Sequence, residues 1–311
     1  MHLPEPPMPA PVSDVLGYKY YVDAQLSVAD PVLLEKNEAS LKPVRDFLCG
    51  VTEASDAAVF GDRQAWRRAL AWLHAWALAD AMGGTTNQQG EYEKEWTLGG
   101  LALAYLKLRD TRAIEPEVAT PIESWLARMA HSVQPAYTDP EARHFRNNHA
   151  HWVGAAVAAT GVAADEPELL AWGVEKFDLG AQQITAEGTL PLEMERGKRA
   201  LHYHLFALTP LVFLAELAAA NGLDLYSRWD GALQRLVRRC VDALHDPGWF
   251  AQRAGAEQDI TPASVLRMDE IVWAEPYHVR FAEPSLDLWL GRLRPMIYPR
   301  LGGDMTALYG S

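Results

Sequence analysis

The sequence predicts an all-α protein, a single α/α toroid (an incomplete α/α barrel) of antiparallel helical hairpins. From Asp62 onward, segments rich in helix-forming residues follow one another almost without interruption. Gly, Asp and Pro separate them by short connections, and we find no convincing alternating run of β-branched residues that would indicate a strand. Long helices with short connections pair as antiparallel hairpins. Their lengths favour a ring of paired helices over a compact bundle.

The individual helices follow from composition and punctuation. Residues 65–78 are rich in Ala, Leu and Trp and predict a helix that ends before Gly83-Gly84. The next predicted helix covers Glu91 to Leu108, which contains several large apolar residues. Further helices are predicted near residues 114–132, 149–163, 166–187, 199–221, 227–245, 263–275 and 284–298. The first 40 residues have no helical period, so residues 1–40 are predicted to be an extended, lid-like segment of the same domain. Residues 41–311 are predicted to form the toroid.

Composition and charge narrow the class of protein. The formal net charge of −13 argues against binding nucleic acid through a basic face. An anionic ligand would therefore need a local cationic lining. No apolar run is expected to reach the roughly 18 residues that span a bilayer, so no membrane insertion is predicted. Two cysteines, Cys49 and Cys240, are too few for a disulfide scaffold. Two separate thiols are favoured, with a single bridge left open.

The first cluster that could carry chemistry runs from Arg146 to Trp152 and contains Asn147, Asn148, His149 and His151. It lies at the start of a predicted helix. One interpretation is structural, with an Asn capping the helix and Trp152 in the core. The other is functional, with the amide and the imidazole directed at a ligand. Taken alone, the cluster leaves both open.

The second cluster runs from Glu193 to His204. Arg199 and Tyr203 are separated by four residues and share a helix face, His202 lies beside them, and Arg196 precedes them by about one turn. A solvated basic turn before an apolar helix is the alternative interpretation.

Other kinds of site are weakly supported. His149/His151 and His202/His204 are spaced by two residues, which does not direct two imidazoles to one side of a helix, so no metal is predicted. We find no nucleophile elbow and no glycine-rich phosphate loop, and no cofactor is predicted. A pair of glycosidase carboxylates stays open because acidic residues are abundant.

In order and spacing, these motifs resemble the alginate lyase family whose members degrade poly-β-D-mannuronate (polysaccharide lyase family 5-like), and the resemblance runs nearly end to end. The first cluster matches that family's Asn-Asn-His-x-x-Trp, and the second matches the segment carrying its catalytic Tyr, with Arg196 seven residues before it. The other matching segments are Gly17 to Asp23, Asn87 to Gly90 with Trp96 to Gly99, Glu257 to Asp259, Trp273 to Pro276 and Arg300 to Asp304.

The resemblance implies that Asn148, His149, Arg196 and Tyr203 form the catalytic set. The predicted substrate-binding residues are Lys19, Tyr20, Gln88, Trp96, Trp152, Arg199, His202 and Arg300. Some family members carry a Tyr three residues after the catalytic Tyr, where this chain has Phe206. That departure puts subsite preference in doubt.

β-Elimination gives these residues separate roles. Asn148, His149 and Arg196 are expected to neutralise the uronate carboxylate, and Tyr203 to move the proton. Nearby cations, with Arg196, Arg199 and His202 as candidates, are expected to lower the pKa of Tyr203. We expect a preference for poly-β-D-mannuronate, an extension to polyglucuronate, and poor cleavage of polyguluronate. The product would carry a 4,5-unsaturated uronate end.

Two other functions stay open at this point: a non-catalytic protein that binds acidic glycans on the same fold, and a glycan hydrolase or epimerase. The predicted partner is an anionic polysaccharide, and the protein is expected to be a monomer. A periplasmic location follows from the resemblance alone, because residues 1–7 show no secretory signal.

Overall fold

The structure, a computed structural model, describes residues 7–310. Within that range the α-helices are α1 (Pro31–Val59), α2 (Arg63–Leu78), α3 (Gln88–Thr111), α4 (Pro116–Val133), α5 (Asn148–Ala163), α6 (Pro167–Gln183), α7 (Pro191–Met194), α8 (Ala200–Ala220), α9 (Arg228–His245), α10 (Gly248–Ala254), α11 (Met268–Ile271), α12 (Ala274–Phe281), α13 (Asp287–Leu293) and α14 (Met305–Tyr309). Two short strands, β1 (Ile297–Tyr298) and β2 (Gly303–Asp304), pair antiparallel. Short 3-10 helices cover Gln134–Tyr137, Arg143–Phe145, Gly197–Arg199, Pro284–Leu286 and Pro299–Leu301.

The long helices form two concentric layers. α1, α3, α5 and α8 contact one another in that order and form the inner layer, while α2, α4, α6 and α9 pack against them from outside. Burial agrees with this arrangement, because 18 of the 21 residues of α8 are buried. The apolar core divides into two clusters that meet along α5, which contributes residues to both. The predicted α/α toroid is confirmed.

Helix α1 was not predicted, since the first predicted helix covers residues 65–78. Asp30 caps it by accepting hydrogen bonds from the backbone N–H groups of Val32 and Leu33, and Pro31 occupies the first turn. The prediction that residues 1–40 are extended is therefore wrong from residue 31 onward. The physical reason is that residues 31–40 bury only Asn37, and the apolar stripe of this helix starts at Leu41.

Two predicted helices near the C-terminus are interrupted. In the 263–275 segment, helix α11 begins only at Met268, because the Glu270 carboxylate accepts a hydrogen bond from the backbone N–H of Arg267 at 2.7 Å and so caps the helix there. In the 284–298 segment, α13 ends at Leu293, since Arg294 precedes Pro295 and is extended. The other predicted helices lie within a few residues of the observed ones.

The β1–β2 hairpin closes the ring by packing on α1 and α3. The Lys107 ammonium donates to the Gly302 carbonyl at 2.7 Å and pairs with the Asp56 carboxylate. Asp56 also accepts from the backbone N–H of Asp304 at 2.9 Å. This junction places Arg300, which lies between the two strands, beside α3.

One segment, Gly197–Ala220, is long and apolar enough to cross a membrane by length and composition alone. The expectation that no segment reaches that length is therefore wrong. The apolar stretch of this segment is 83% buried inside the protein, because α8 is an inner helix and is apolar on every face. The two cysteines are free thiols, Cys49 on α1 and Cys240 on α9.

Candidate active site

The aromatic segment before α1 is anchored to the first turn of α3. Asn87, the N-cap of α3, accepts from the Gly17 backbone N–H at 3.1 Å and donates to the Gly17 carbonyl at 2.8 Å. A Cβ at Gly17 would lie 2.7 Å from atoms of both Asn37 and Gln89, so glycine is needed for this close approach. The anchor fixes where the chain presents the next residues, Tyr18, Lys19, Tyr20 and Tyr21.

Tyr203 lies in the first turn of α8, between two guanidinium groups. Arg196 lies 4.0 Å and Arg199 5.0 Å from the centroid of its ring. Its hydroxyl lies 3.5 Å from both the Tyr21 hydroxyl and the Leu26 carbonyl. The 3-10 turn Gly197–Arg199, which joins α7 to α8, places the two arginines next to the tyrosine.

The pKa of Tyr203 is raised, which corrects the expectation that cations lower it. Burial of the phenol is the main cause, and the neighbouring Tyr21 adds to it. The guanidinium groups of Arg196 and Arg199 act in the opposite direction but do not outweigh burial. At neutral pH, Tyr203 is therefore a neutral phenol.

Asn148 is the first residue of α5, and a buried carboxylate holds it in place. Glu193 accepts from the Asn148 backbone N–H at 2.8 Å and from its side-chain Nδ2 at 2.9 Å through the same oxygen. The other oxygen of Glu193 lies 3.5 Å from Nε of Arg196. The neighbouring Asn147 is the N-cap of α5, so the capping interpretation holds for Asn147 and not for Asn148.

His149 stacks on Tyr92, with 3.7 Å between the ring centroids. Burial and, to a smaller extent, the charge of Arg196 together lower the pKa of His149 to about 3. The imidazole is therefore neutral at physiological pH, with one N–H to donate. Its Nδ1 atom is buried without a hydrogen-bond partner among the described residues.

His202 is placed differently from the prediction. Its Nδ1 lies 2.6 Å from a carboxylate oxygen of Glu270, and burial lowers the pKa of His202 to about 3. His202 therefore supplies no positive charge to Tyr203, although the two rings are in edge contact at 4.8 Å. Its side chain is only about 5% exposed.

Two predicted tryptophans have different environments. Trp152 is 3% exposed and packs on Phe206 and Tyr298, so it belongs to the core rather than to a sugar-stacking surface. Trp96 is partly exposed, and the Arg300 guanidinium lies 3.8 Å from the centroid of its ring. Arg300 also pairs with Glu93, which takes up part of the positive charge that was predicted to face the substrate.

The remaining predicted binding residues lie at the protein surface. Gln88 is exposed and hydrogen-bonds Tyr92, the residue that stacks on His149. Lys19 is exposed in the anchored segment. Tyr20 packs on Tyr21 at 4.6 Å, and burial raises the pKa of Tyr20 to about 12.

Several polar atoms at this site are buried without a hydrogen-bond partner among the described residues. They are Asn148 Oδ1, His149 Nδ1, Glu193 Oε2, Arg196 Nε and Trp96 Nε1. Unpaired buried polar groups are costly, so their clustering marks a functional site. The described range holds no group of three or more His, Cys, Asp or Glu side chains that could bind a metal ion.

Comparisons with known proteins show the family of this chain. The family described as Alginate lyase matches residues 17–250. A polysaccharide lyase of Stenotrophomonas maltophilia is 38% identical over 310 residues, which cover 98% of this chain and 90% of that protein. The chain belongs to the alginate lyase family. An alginate lyase of Pseudomonas fluorescens is 34% identical, covering 97% of this chain and 83% of that one. The predicted enzyme class, a polysaccharide lyase, is confirmed.

The solved structures of alginate lyases agree in fold. Alginate lyase A1-III complexed with a tetrasaccharide has a TM-score of 0.87 at 24% identity, covering 98% of this chain and 85% of that one. An alginate lyase from Bacteroides ovatus has a TM-score of 0.68 at 18% identity, covering 96% and 84%.

Within this alginate lyase family member, the structure brings the four predicted catalytic residues into one cluster. Three further residues in that cluster were not predicted as site residues: Tyr21, Tyr92 and Glu193. Their sequence signals were weak, because each acts through a side-chain contact with a distant part of the chain. Glu193 lies in the four-residue helix α7, and nothing in the local sequence indicates that its side chain is only 1% exposed.

Proposed function

We propose that this protein cleaves poly-β-D-mannuronate, and also polyglucuronate, by β-elimination. The observation that carries the proposal is the position of Tyr203 between the guanidinium groups of Arg196 and Arg199. Asn148 and His149 belong to the same cluster, with polar atoms that have no hydrogen-bond partner among residues 7–310. The names of the curated relatives support alginate as the substrate class.

The C5 proton of a uronate is weakly acidic while the adjacent carboxylate keeps its charge, because abstraction puts a second negative charge beside it. A site that promotes elimination therefore neutralises that carboxylate. In our proposal Arg196 supplies the positive charge. Asn148 donates its second amide N–H, since only one is used by Glu193, and neutral His149 donates its N–H.

Tyr203 transfers the proton in this proposal. The phenolate takes the proton from C5, the C5 electron pair forms the C4–C5 double bond, and the C4–O4 bond breaks. The phenol then returns the proton to O4, so the enzyme ends unchanged. In β-D-mannuronate and β-D-glucuronate the C5 hydrogen and O4 lie on the same side of the ring, which allows one residue to do both. Because the phenol is neutral at rest, it first loses its proton to solvent, and the phenolate that the cycle regenerates takes the next C5 proton or regains a proton from solvent.

Guluronate is inverted at C5, so its proton faces away from the group that protonates O4 and a second base is needed. His149 is the neutral imidazole nearest to that role. Its ring is stacked on Tyr92 and its Nδ1 is buried, which restricts its movement toward a sugar. We therefore propose that polyguluronate is the poorest of the three substrates.

The test follows the double bond, which is conjugated to the carboxylate and absorbs in the ultraviolet. The protein is incubated separately with polymannuronate, polyglucuronate, polyguluronate and hyaluronan. We expect the fastest rise on polymannuronate and a slow one on polyguluronate. Equal rates on these two contradict the substrate ranking. A flat trace on all four substrates overturns the function.

The variant Tyr203→Phe extends the same test. We expect turnover to fall by about 100- to 10,000-fold, the usual range for a lost general acid or base, with oligomannuronate affinity retained in calorimetry. Tyr18→Phe is the matched control, because Tyr18 is an exposed tyrosine of the N-terminal segment. Full turnover in Tyr203→Phe would assign the proton transfer to another residue.

A further inference from the structure

A buried carboxylate beneath the site has no role in the chemistry above. Glu193, on α7, is 1% exposed. One oxygen accepts two hydrogen bonds from Asn148, and the other lies 3.5 Å from Nε of Arg196. The residue therefore touches two members of the proposed catalytic set at once.

Burying a charged carboxylate is costly unless its partners compensate. Burial raises the pKa of Glu193, while Arg196 and the hydrogen bonds from Asn148 lower it by less. A purely structural explanation is that Glu193 stabilises the N-terminus of α5, where a negative charge is favourable. That role needs the bond to the Asn148 backbone N–H. It does not need the bond to the Asn148 side chain or the proximity to Arg196.

We propose that Glu193 is a positioning residue, whose carboxylate orients the Asn148 amide and the Arg196 guanidinium toward the uronate carboxylate. This inference rests on the proposed function. Because Nδ2 of Asn148 is held at Glu193, the amide cannot rotate by 180° and direct its oxygen at the substrate anion. The Arg196 guanidinium, 4.0 Å from the centroid of the Tyr203 ring, is attracted to Glu193 by charge at 3.5 Å rather than by a hydrogen bond.

Glu193→Gln is the variant that tests the proposal. It keeps the size of the side chain and one acceptor oxygen, but directs an NH₂ group either at Asn148 or at Arg196, both of which are donors. We expect kcat on polymannuronate to fall by about 100-fold, the usual effect of losing a preorganised donor, while KM changes little. Glu195→Gln is the matched control two residues away, since Glu195 is exposed and pairs with Arg143; it should keep full activity.

Three readouts separate positioning from a structural role. If Glu193 acts through Asn148, the two losses are not independent, so Glu193→Gln in an Asn148→Ala background should cost far less than in the wild type. Glu193→Asp retains the charge and should recover part of the activity that Glu193→Ala loses. The wild type should also lose activity as pH falls through the raised pKa of Glu193, and Glu193→Gln should lack this additional loss.

The outcomes are distinguishable from failure of the proposed function. A wild type that forms no unsaturated product on any of the polyuronates fails both proposals. An active wild type with a Glu193→Gln variant as active as Glu195→Gln overturns the positioning role alone. So does a double variant in which the two losses simply multiply, because that result assigns Glu193 to the stability of α5. If Glu193→Gln does not fold, the comparison of Glu193→Asp with Glu193→Ala decides: equal loss in both overturns the inference.

Discussion

The hydroxyl of Tyr203 lies 3.5 Å from the Tyr21 hydroxyl and 3.5 Å from the Leu26 carbonyl, so other residues of the protein surround it. Burial raises the pKa of this phenol more than Arg196 and Arg199 lower it. Near neutral pH the phenol is therefore neutral. The phenolate fraction grows as pH rises toward the raised pKa, so a reaction that begins from the phenolate must accelerate with pH.

We expect kcat/KM on polymannuronate to increase with pH from about 6 to about 9, approaching tenfold per pH unit, because the phenolate fraction changes tenfold per unit below the pKa. Initial rates of ultraviolet absorbance measure it. Thermal unfolding at each pH is the control for loss of the folded protein. A rate that is constant or falls over this interval would show that the neutral phenol is the reactive form.

The sequence predicted which residues form the site better than it predicted their burial, partners and pKa values. The four predicted catalytic residues lie in one cluster, whereas His202 pairs with Glu270 and Trp152 packs on Phe206 and Tyr298. The difference has a physical cause. Residue type and spacing are local, but burial and pKa depend on partners far along the chain, such as Glu270, which is 68 residues from His202.

At the scale of elements, the N-cap residue of α3 both caps its helix and binds the N-terminal segment. Asn87 accepts from the Gly90 backbone N–H at 2.9 Å and also holds Gly17 through two hydrogen bonds. The start of one inner helix is thereby linked to the segment that carries Tyr21. Tyr21 in turn accepts a hydrogen bond from Arg199.

Replacing Asn87 with Ala should affect both stability and activity. Loss of the cap costs about 1 kcal/mol, within a usual range of about 0.5–2 kcal/mol. Release of the segment should also raise KM on polymannuronate, since Tyr21 no longer holds Arg199 in place. Urea unfolding and ultraviolet assays measure the two effects. Asn221→Ala, at the exposed C-terminal end of α8, is the control and should leave KM unchanged. An unchanged KM in Asn87→Ala would separate the segment from substrate binding.

Helices between residues 63 and 245 were predictable because each shows clear composition and punctuation. The start of helix α1 was hidden because its first ten residues bury only Asn37, but the rest of the helix was missed although it has an apolar stripe from Leu41 onward. The interruptions after residue 263 come from the Glu270 side chain, which caps α11, and from a proline, and both overrode helix-forming composition. Sequence patterns thus predicted elements whose stability is local. They failed where a side-chain contact or a single backbone restriction decided the conformation.

At the scale of the whole molecule, one ion pair links the C-terminal hairpin to the first two inner helices. Lys107 and Asp56 join α3 to α1, and both also bind the β1–β2 hairpin. Their side chains are 6% and 15% exposed. Removing one member leaves the other charge without its partner in a largely dry environment, which is more damaging than losing a surface pair.

Lys107→Met should destabilise the protein by about 3–5 kcal/mol, the usual cost of breaking a buried ion pair. The urea unfolding midpoint measures the loss. Lys42→Met is the control, because Lys42 pairs with Asp46 on the exposed surface of α1 and should contribute less than about 1 kcal/mol. A loss in Lys107→Met no larger than in Lys42→Met would mean that the hairpin is held by its apolar contacts instead.

The closing hairpin also sets an order of events during synthesis. The hydrogen bonds from Lys107 to Gly302 and from Asp304 to Asp56 join residues separated by 195 and 248 positions in the chain. Such distant contacts form late and slow the folding of a chain. The surface of α1 and α3 on which the hairpin packs is therefore uncovered until the ribosome has added nearly all of the remaining protein. A nascent chain that stops before residue 297 would contain all four proposed catalytic residues and still be an open ring, exposed to aggregation and proteolysis.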